Sequence, residues 1–137
     1  MQREDMLTKV RAAYEARRSG DFAALEELVA PDAAFSLAGD RTLLAAMPSA
    51  GDISVHEAAR RLFDTIELRE LERLDAVAEG NKVAILWRTT AVGADREPFD
   101  TLMFDLWEFD DNGKISRGTQ FVDTARFVEA MRPRAVT

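Results

Sequence analysis

Apolar and polar positions divide this chain into helical stretches followed by strands. From Arg3 to Ser19, Met6, Val10, Ala13, Tyr14 and Arg17 recur at helical spacing, which predicts an opening helix ended by Gly20. Asp21 is placed to cap a second helix, with Phe22, Leu25, Leu28 and Val29 on one face and Pro31 as its stop. "AAFSLAG" then reads as a short strand with Phe35 and Leu37 on one face. Residues 39–53 have no clean period and read as a loop or short helix with Leu43, Leu44 and Met47 underneath. A loop of that length in a compact domain is often functional; the competing reading is a loop that packs its own leucines. "SVHE" is a capping box, Ser54 and Glu57, opening a third helix that would bury Ala58, Leu62, Phe63 and Ile66.

The period then changes to that of strands. Four are expected, roughly Glu70–Ala78, Lys82–Val92, Glu97–Phe109 and Lys114–Val122, separated by "EGN", "GADR" and "DDNG". Asn112-Gly113 is a strong hairpin signal. Asp123 caps a short last helix in "DTARFVEAM". Helix, helix, strand, helix and antiparallel meander make an α+β arrangement, expected as one domain over residues 1–137. A long curved sheet has two faces; helices cover one, and the other needs a partner.

The stretch "TLMFDLWEF" carries the chemistry. Thr101, Met103, Asp105, Trp107 and Phe109 share one face, and Leu102, Phe104, Leu106 and Glu108 the other. Both faces are largely apolar, so one is expected to be a subunit interface and the other to look inward under the helices. An unpaired ionised carboxylate in such a strand costs several kcal/mol or more. Either the alternation slips at a bulge and Asp105 reaches solvent, or it is the polar anchor of a cavity lined by Met103 and Trp107. In the second case desolvation raises its pKa, and a neutral carboxyl can donate a hydrogen bond to a carbonyl or a developing oxyanion. The preceding strand is undecided: Ile85, Trp87 and Thr89 face inward, or Leu86, Arg88 and Thr90 do. An inward Arg88 would pair with Asp105 and keep it ionised.

Composition narrows the classes. With 47% hydrophobic and 31% charged residues, a chain of 137 residues can bury a sizeable core. A net charge of -7 with no dense basic cluster argues against nucleic acid or anionic membrane as partners. The absence of cysteine removes disulfides, thiolate metal sites and thiol nucleophiles. A single histidine, His56, rules out a His-rich metal site, and its place in the first turn of a helix suits the surface. Asp110-Asp111-Asn112 lacks the later glutamate of a calcium loop and reads as a hairpin turn. Lys9, Arg11, Arg17 and Arg18 read as a solvated helix face. "MQREDML" is no secretory leader, and no long apolar run would span a membrane, so the cytoplasm is expected.

"YEARRSGDFAALEELVAPDAAF", "VHEAARRLF", "VAEGNKVAILW" and "FDLWEFDDNGKISRGTQFVDTARF" together resemble the nuclear transport factor 2-like superfamily. That superfamily includes the SnoaL-like polyketide cyclases, ketosteroid isomerases and limonene epoxide hydrolases. The resemblance covers roughly residues 4–131 and implies a cone, a cystatin-like α+β barrel: a bent antiparallel sheet wrapped round a pocket by three N-terminal helices. It also implies a homodimer through the outer sheet face. Steroid isomerases use a protonated acid on the long strand as an oxyanion donor; Asp105 falls at that position and Trp107 at an aromatic wall. Their general base lies where this chain has Leu37, which cannot move a proton. Tyr14 is close to their oxyanion tyrosine but one residue nearer Gly20, a rotation of about 100°, and is either wall or core. The epoxide hydrolases' Arg-x-Asp pair has Arg88-Thr89-Thr90 as its nearest match, and Gln120 stands near the last-strand acid of hydrolases and cyclases.

The resemblance thus implies a protein for a small hydrophobic ligand, with Asp105 as catalyst or donor. Tyr14, Phe35, Leu37, Trp87, Met103 and Trp107 would form the wall, and Gln120 a second polar contact. No metal and no cofactor are called for. Three functions stay open: a cofactor-free isomerase, cyclase or hydrolase with an incomplete catalytic set; a non-catalytic binder; or a dimeric association domain.

Overall fold

The computed structural model describes residues 1–39, 51–57 and 66–132. Helix α1 (Arg3–Ser19) buries Met6, Leu7, Val10, Ala13 and Tyr14 along one stripe. It ends where Gly20 takes a left-handed φ of 74°, a conformation that a Cβ would disfavour. Asp21 accepts the Ala24 N–H at 3.0 Å and caps α2 (Phe22–Leu28). Val29 does not continue that helix as expected but opens strand β1 (Val29–Leu37). Pro31, expected as a helix stop, is an exposed strand residue, in a stretch where the strand's parallel pairing is interrupted between Val29 and Ala34. An irregular, exposed stretch asks for no ladder hydrogen bond from the proline nitrogen.

Strand β2 (Gly51–Ser54) pairs antiparallel with β1 inside the segment expected as loop or helix. Leu43, Leu44 and Met47 of that segment lie outside the described residues. Ser54 Oγ accepts the Glu57 N–H at 3.0 Å, one half of the expected capping box. Residues 55–57 are helical; Ala58, Leu62 and Phe63 lie outside the described residues, and Ile66 is buried.

The meander follows close to its expected bounds: β3 (Glu67–Glu79), β4 (Lys82–Val92), β5 (Phe99–Phe109) and β6 (Ile115–Val122). Asp123 then caps α3 (Thr124–Ala130), accepting the Arg126 N–H at 3.1 Å. Among the described residues these strands form one curved, unclosed sheet in the order β2-β1-β6-β5-β4-β3. Every pairing is antiparallel except β1 with β6, so the sheet is mixed rather than wholly antiparallel as expected. The Asp110 carboxylate accepts the Asn112 and Lys114 N–H groups at 2.9 Å each, and Gly113 has φ 73°, as a hairpin turn requires. Lys9 is not simply solvated: its Nζ reaches across to the Gly113 carbonyl at 2.7 Å and ties α1 to this turn.

The core lies between the helices and the inner sheet face. Val83, Ile85 and Trp87 of β4 meet Met103, Trp107 and Phe109 of β5 there. The opposite face leaves Leu102 50%, Phe104 45% and Phe121 50% exposed. Phe104 is flanked in register by Leu86 and Phe121, so these apolar side chains form one outward row.

Candidate functional site

Strand register sets out the inner face as rows of side chains. One row runs Phe35, Gly118, Trp107, Val83; the next runs Leu37, Gln120, Asp105, Ile85; a third runs Val122, Met103, Trp87, Arg73. Neighbouring strands stand about 4.8 Å apart and successive rows about 7 Å apart. Asp105 therefore sits mid-sheet, with Trp107 and Met103 on either side along its own strand and Gln120 and Ile85 across from it.

The carboxyl of Asp105 is wholly buried, so the alternation does not slip and the solvent-facing alternative falls. Neither of its oxygens has a hydrogen-bond partner. Burial pushes its pKa up to about 8. Gln120, its partner across the strands, pulls the other way by less than burial does, and neither oxygen has a hydrogen-bond partner. The Gln120 amide lies 3.9 Å from Met103 Sδ. Inward Arg88 is also ruled out: its side chain faces outward, with Nη1 3.6 Å from the Glu72 carboxylate. Trp87 takes the inward place instead, and no cation neutralises Asp105 among the described residues.

Aromatic side chains cluster on the same sheet face as the acid. The Tyr14 ring lies 4.6 Å from Trp87 and 6.1 Å, edge-on, from Trp107; Phe35 is 6.1 Å from Trp107. Tyr14 Oη, Trp87 Nε1 and Trp107 Nε1 are all buried without a partner. Three orphaned donors in one core with an orphaned acid is unusual, since each unmatched buried polar group costs about 1–3 kcal/mol. Leu37 is buried across from Gln120, two strands or about 10 Å from Asp105, and offers no proton-transfer group.

Two residues of this face escaped the sequence analysis. Gly118 makes room for Trp107: a Cβ there would lie 2.2 Å from indole Cζ3. A glycine inside a strand is the signal for such a close approach. Arg73 shares the inner face with Leu71, Ala76 and Ala78. Register shifts between Leu68 and Glu70 and between Arg73 and Asp75 break the alternation that would have revealed it. His56 is half-buried beside the Ala30 carbonyl, 3.4 Å from Nε2, in a shallow cleft with Glu26 and Pro31, and is not part of this face.

A curved sheet backed by N-terminal helices, with a buried acid at its centre, defines a nuclear transport factor 2-like α+β fold. The chain belongs to the SnoaL-like domain family, whose profile matches residues 10–118. Similar solved structures include a nuclear transport factor 2-like protein of unknown function from Burkholderia pseudomallei, at TM-score 0.79 and 18% identity over 96% of this chain and 98% of that one. A Rhodopseudomonas palustris protein provisionally called an isomerase aligns at TM-score 0.77 and 18% identity, covering 95% and 97%. A Xanthomonas campestris protein provisionally called a polyketide cyclase aligns at 0.69 and 19%, covering 93% and 97%. At these identities the likeness concerns the fold. No curated protein matches the chain.

Proposed function

We propose that this protein binds a small hydrophobic molecule carrying a carbonyl-type oxygen, with the protonated Asp105 as hydrogen-bond donor to that oxygen. The carrying observation is the wholly buried, unpartnered carboxyl of Asp105. Its neighbours Tyr14, Trp87 and Trp107 also have polar hydrogens without acceptors, so an acceptor oxygen would satisfy several donors at once. Phe35, Leu37 and Met103 supply apolar wall, and Gln120 a second polar contact. The isomerase and cyclase names given to two structural neighbours support chemistry in which negative charge grows on such an oxygen.

Binding of 1-indanone, a compact aromatic ketone, tests this. Affinity is expected to fall at least tenfold in Asp105→Leu, and in the wild type as pH rises through about 8, where the donor proton is lost. Saturable binding that ignores both changes would sink the proposal. A second reading, a binder without turnover, is favoured by the buried Leu37 at the place where a base would stand. Exchange of the ketone's α-hydrogens in D2O separates the two: an isomerase-like enzyme accelerates it, and a binder leaves it at the solvent rate.

The protein is also proposed to dimerise through the outer sheet face. Exposed Leu102, Phe104 and Phe121 support this, since a contiguous apolar patch on a sheet is disfavoured in water.

A further inference from the structure

At the edge of the inner face, β3 and α1 enclose a cleft of about 180 Å³, lined by Arg11, Tyr14, Glu15, Leu71, Arg73 and Trp87. Its charges are lopsided. Glu15 is already engaged by Arg18, whose Nε and Nη2 lie 3.3 and 3.0 Å from one carboxylate oxygen. Arg11 and Arg73 have no ion-pair partner among the described residues, in a chain where 25 acidic residues face 18 basic ones. Two unclaimed guanidinium groups in so acidic a protein give this cleft a local positive field. Its apolar part is Tyr14, Trp87 and Leu71, and Tyr14 Oη and Trp87 Nε1 are buried with no acceptor.

We infer that this cleft binds the carboxylate end of a small aromatic acid, the ring stacking on Tyr14 and Trp87 and the carboxylate held by Arg11 and Arg73. Arginine is the side chain best matched to a carboxylate, through paired N–H donors. The volume is below the roughly 300–1,000 Å³ of pockets for larger ligands, which suits a single ring. A bare anion would leave the aromatic surface unused; a neutral ring would leave both arginines unanswered. The cleft shares Tyr14 and Trp87 with the site around Asp105 but requires no chemistry from that acid.

The chain has two tryptophans, so an 15N-labelled sample shows two indole N–H signals, one beside the cleft. Benzoate is expected to shift the Trp87 signal saturably and to bind at least tenfold more weakly to Arg11→Gln/Arg73→Gln. Both replaced side chains are exposed, and an unchanged amide spectrum would verify the fold. In the wild type, added sodium chloride should weaken benzoate but leave its uncharged analogue, methyl benzoate, unaffected, which tests the charge contact without any substitution. The 1-indanone test reads Asp105 and the benzoate test reads Arg11 and Arg73, so failure here and failure of the Asp105 proposal are separate results. The inference is overturned if the double substitution and salt leave benzoate binding unchanged, or if inorganic phosphate moves the Trp87 signal equally.

Discussion

At the scale of single residues, Asp105 sets a pH signature for the whole domain. Its carboxyl rises from 3.8 to about 8 because burial disfavours the charged form. Between those values the folded protein keeps a proton that the unfolded chain has released. The native state then binds more protons, so this contribution to stability falls as pH rises through the window and levels off above about 8. Asp105→Asn cannot ionise and removes that slope. The variant is expected to be comparable to the wild type near pH 5 and more stable at pH 9, by up to several kcal/mol. Urea unfolding of both proteins at pH 5, 7 and 9 measures this; a difference that stays constant with pH would contradict a buried, protonated Asp105. The residue itself was legible in the sequence because an acid interrupts an otherwise apolar alternation from Met103 to Phe109. Trp87 was legible only through the family resemblance, because its strand offers apolar residues on both faces; the outward ion pair of Arg88 decides between them.

Between elements, the β5–β6 pairing depends on an absent side chain. Trp107 and Gly118 are register partners, and the indole lies over the glycine. In Gly118→Ala the new methyl would meet three ring atoms at 2.2, 2.6 and 2.8 Å, so the indole or the strand must move. Overpacking of this kind costs about 1–3 kcal/mol. A lowered urea midpoint, together with a displaced Trp107 indole N–H signal, is expected; a variant with both unchanged would show that the ring moves aside freely. Elements were legible where one rule governed them. Gly20 with Asp21, Asp123 and the Asn112-Gly113 turn fixed their boundaries through backbone chemistry that neighbours do not override. Val29 misled because an apolar residue after a helical face fits both a longer helix and a new strand. Strand β2 has no pattern of its own in four residues and exists through pairing with β1. Arg73 was hidden by the two register shifts of β3, each of which changes which residues face inward.

For the molecule as a whole, the outward row of Leu86, Phe104 and Phe121 decides the proposed dimer. Phe104→Glu/Phe121→Glu places charge on that row without touching the inner face, where Trp107 and Asp105 stay buried. Sedimentation should show a dimer for the wild type and a monomer for the double variant, with circular dichroism unchanged; a wild type that sediments as a monomer at all concentrations would refute the interface. The fold class was readable from the order of elements. The parallel joint between β1 and β6 was not, because pairing between distant strands leaves no local mark.

That joint has a consequence for how the sheet assembles. On the side away from β2, strand β1 lies beside the distant strand β6, Leu37 against Gln120. During folding β1 and β2 can pair with each other, but the other edge of β1 stays open until β6, far along the chain, reaches it. Contacts so far apart along the chain slow folding, and an open strand edge invites pairing with other chains. The sheet is therefore completed when the β1–β2 pair meets the four-stranded meander, rather than built strand by strand along the chain.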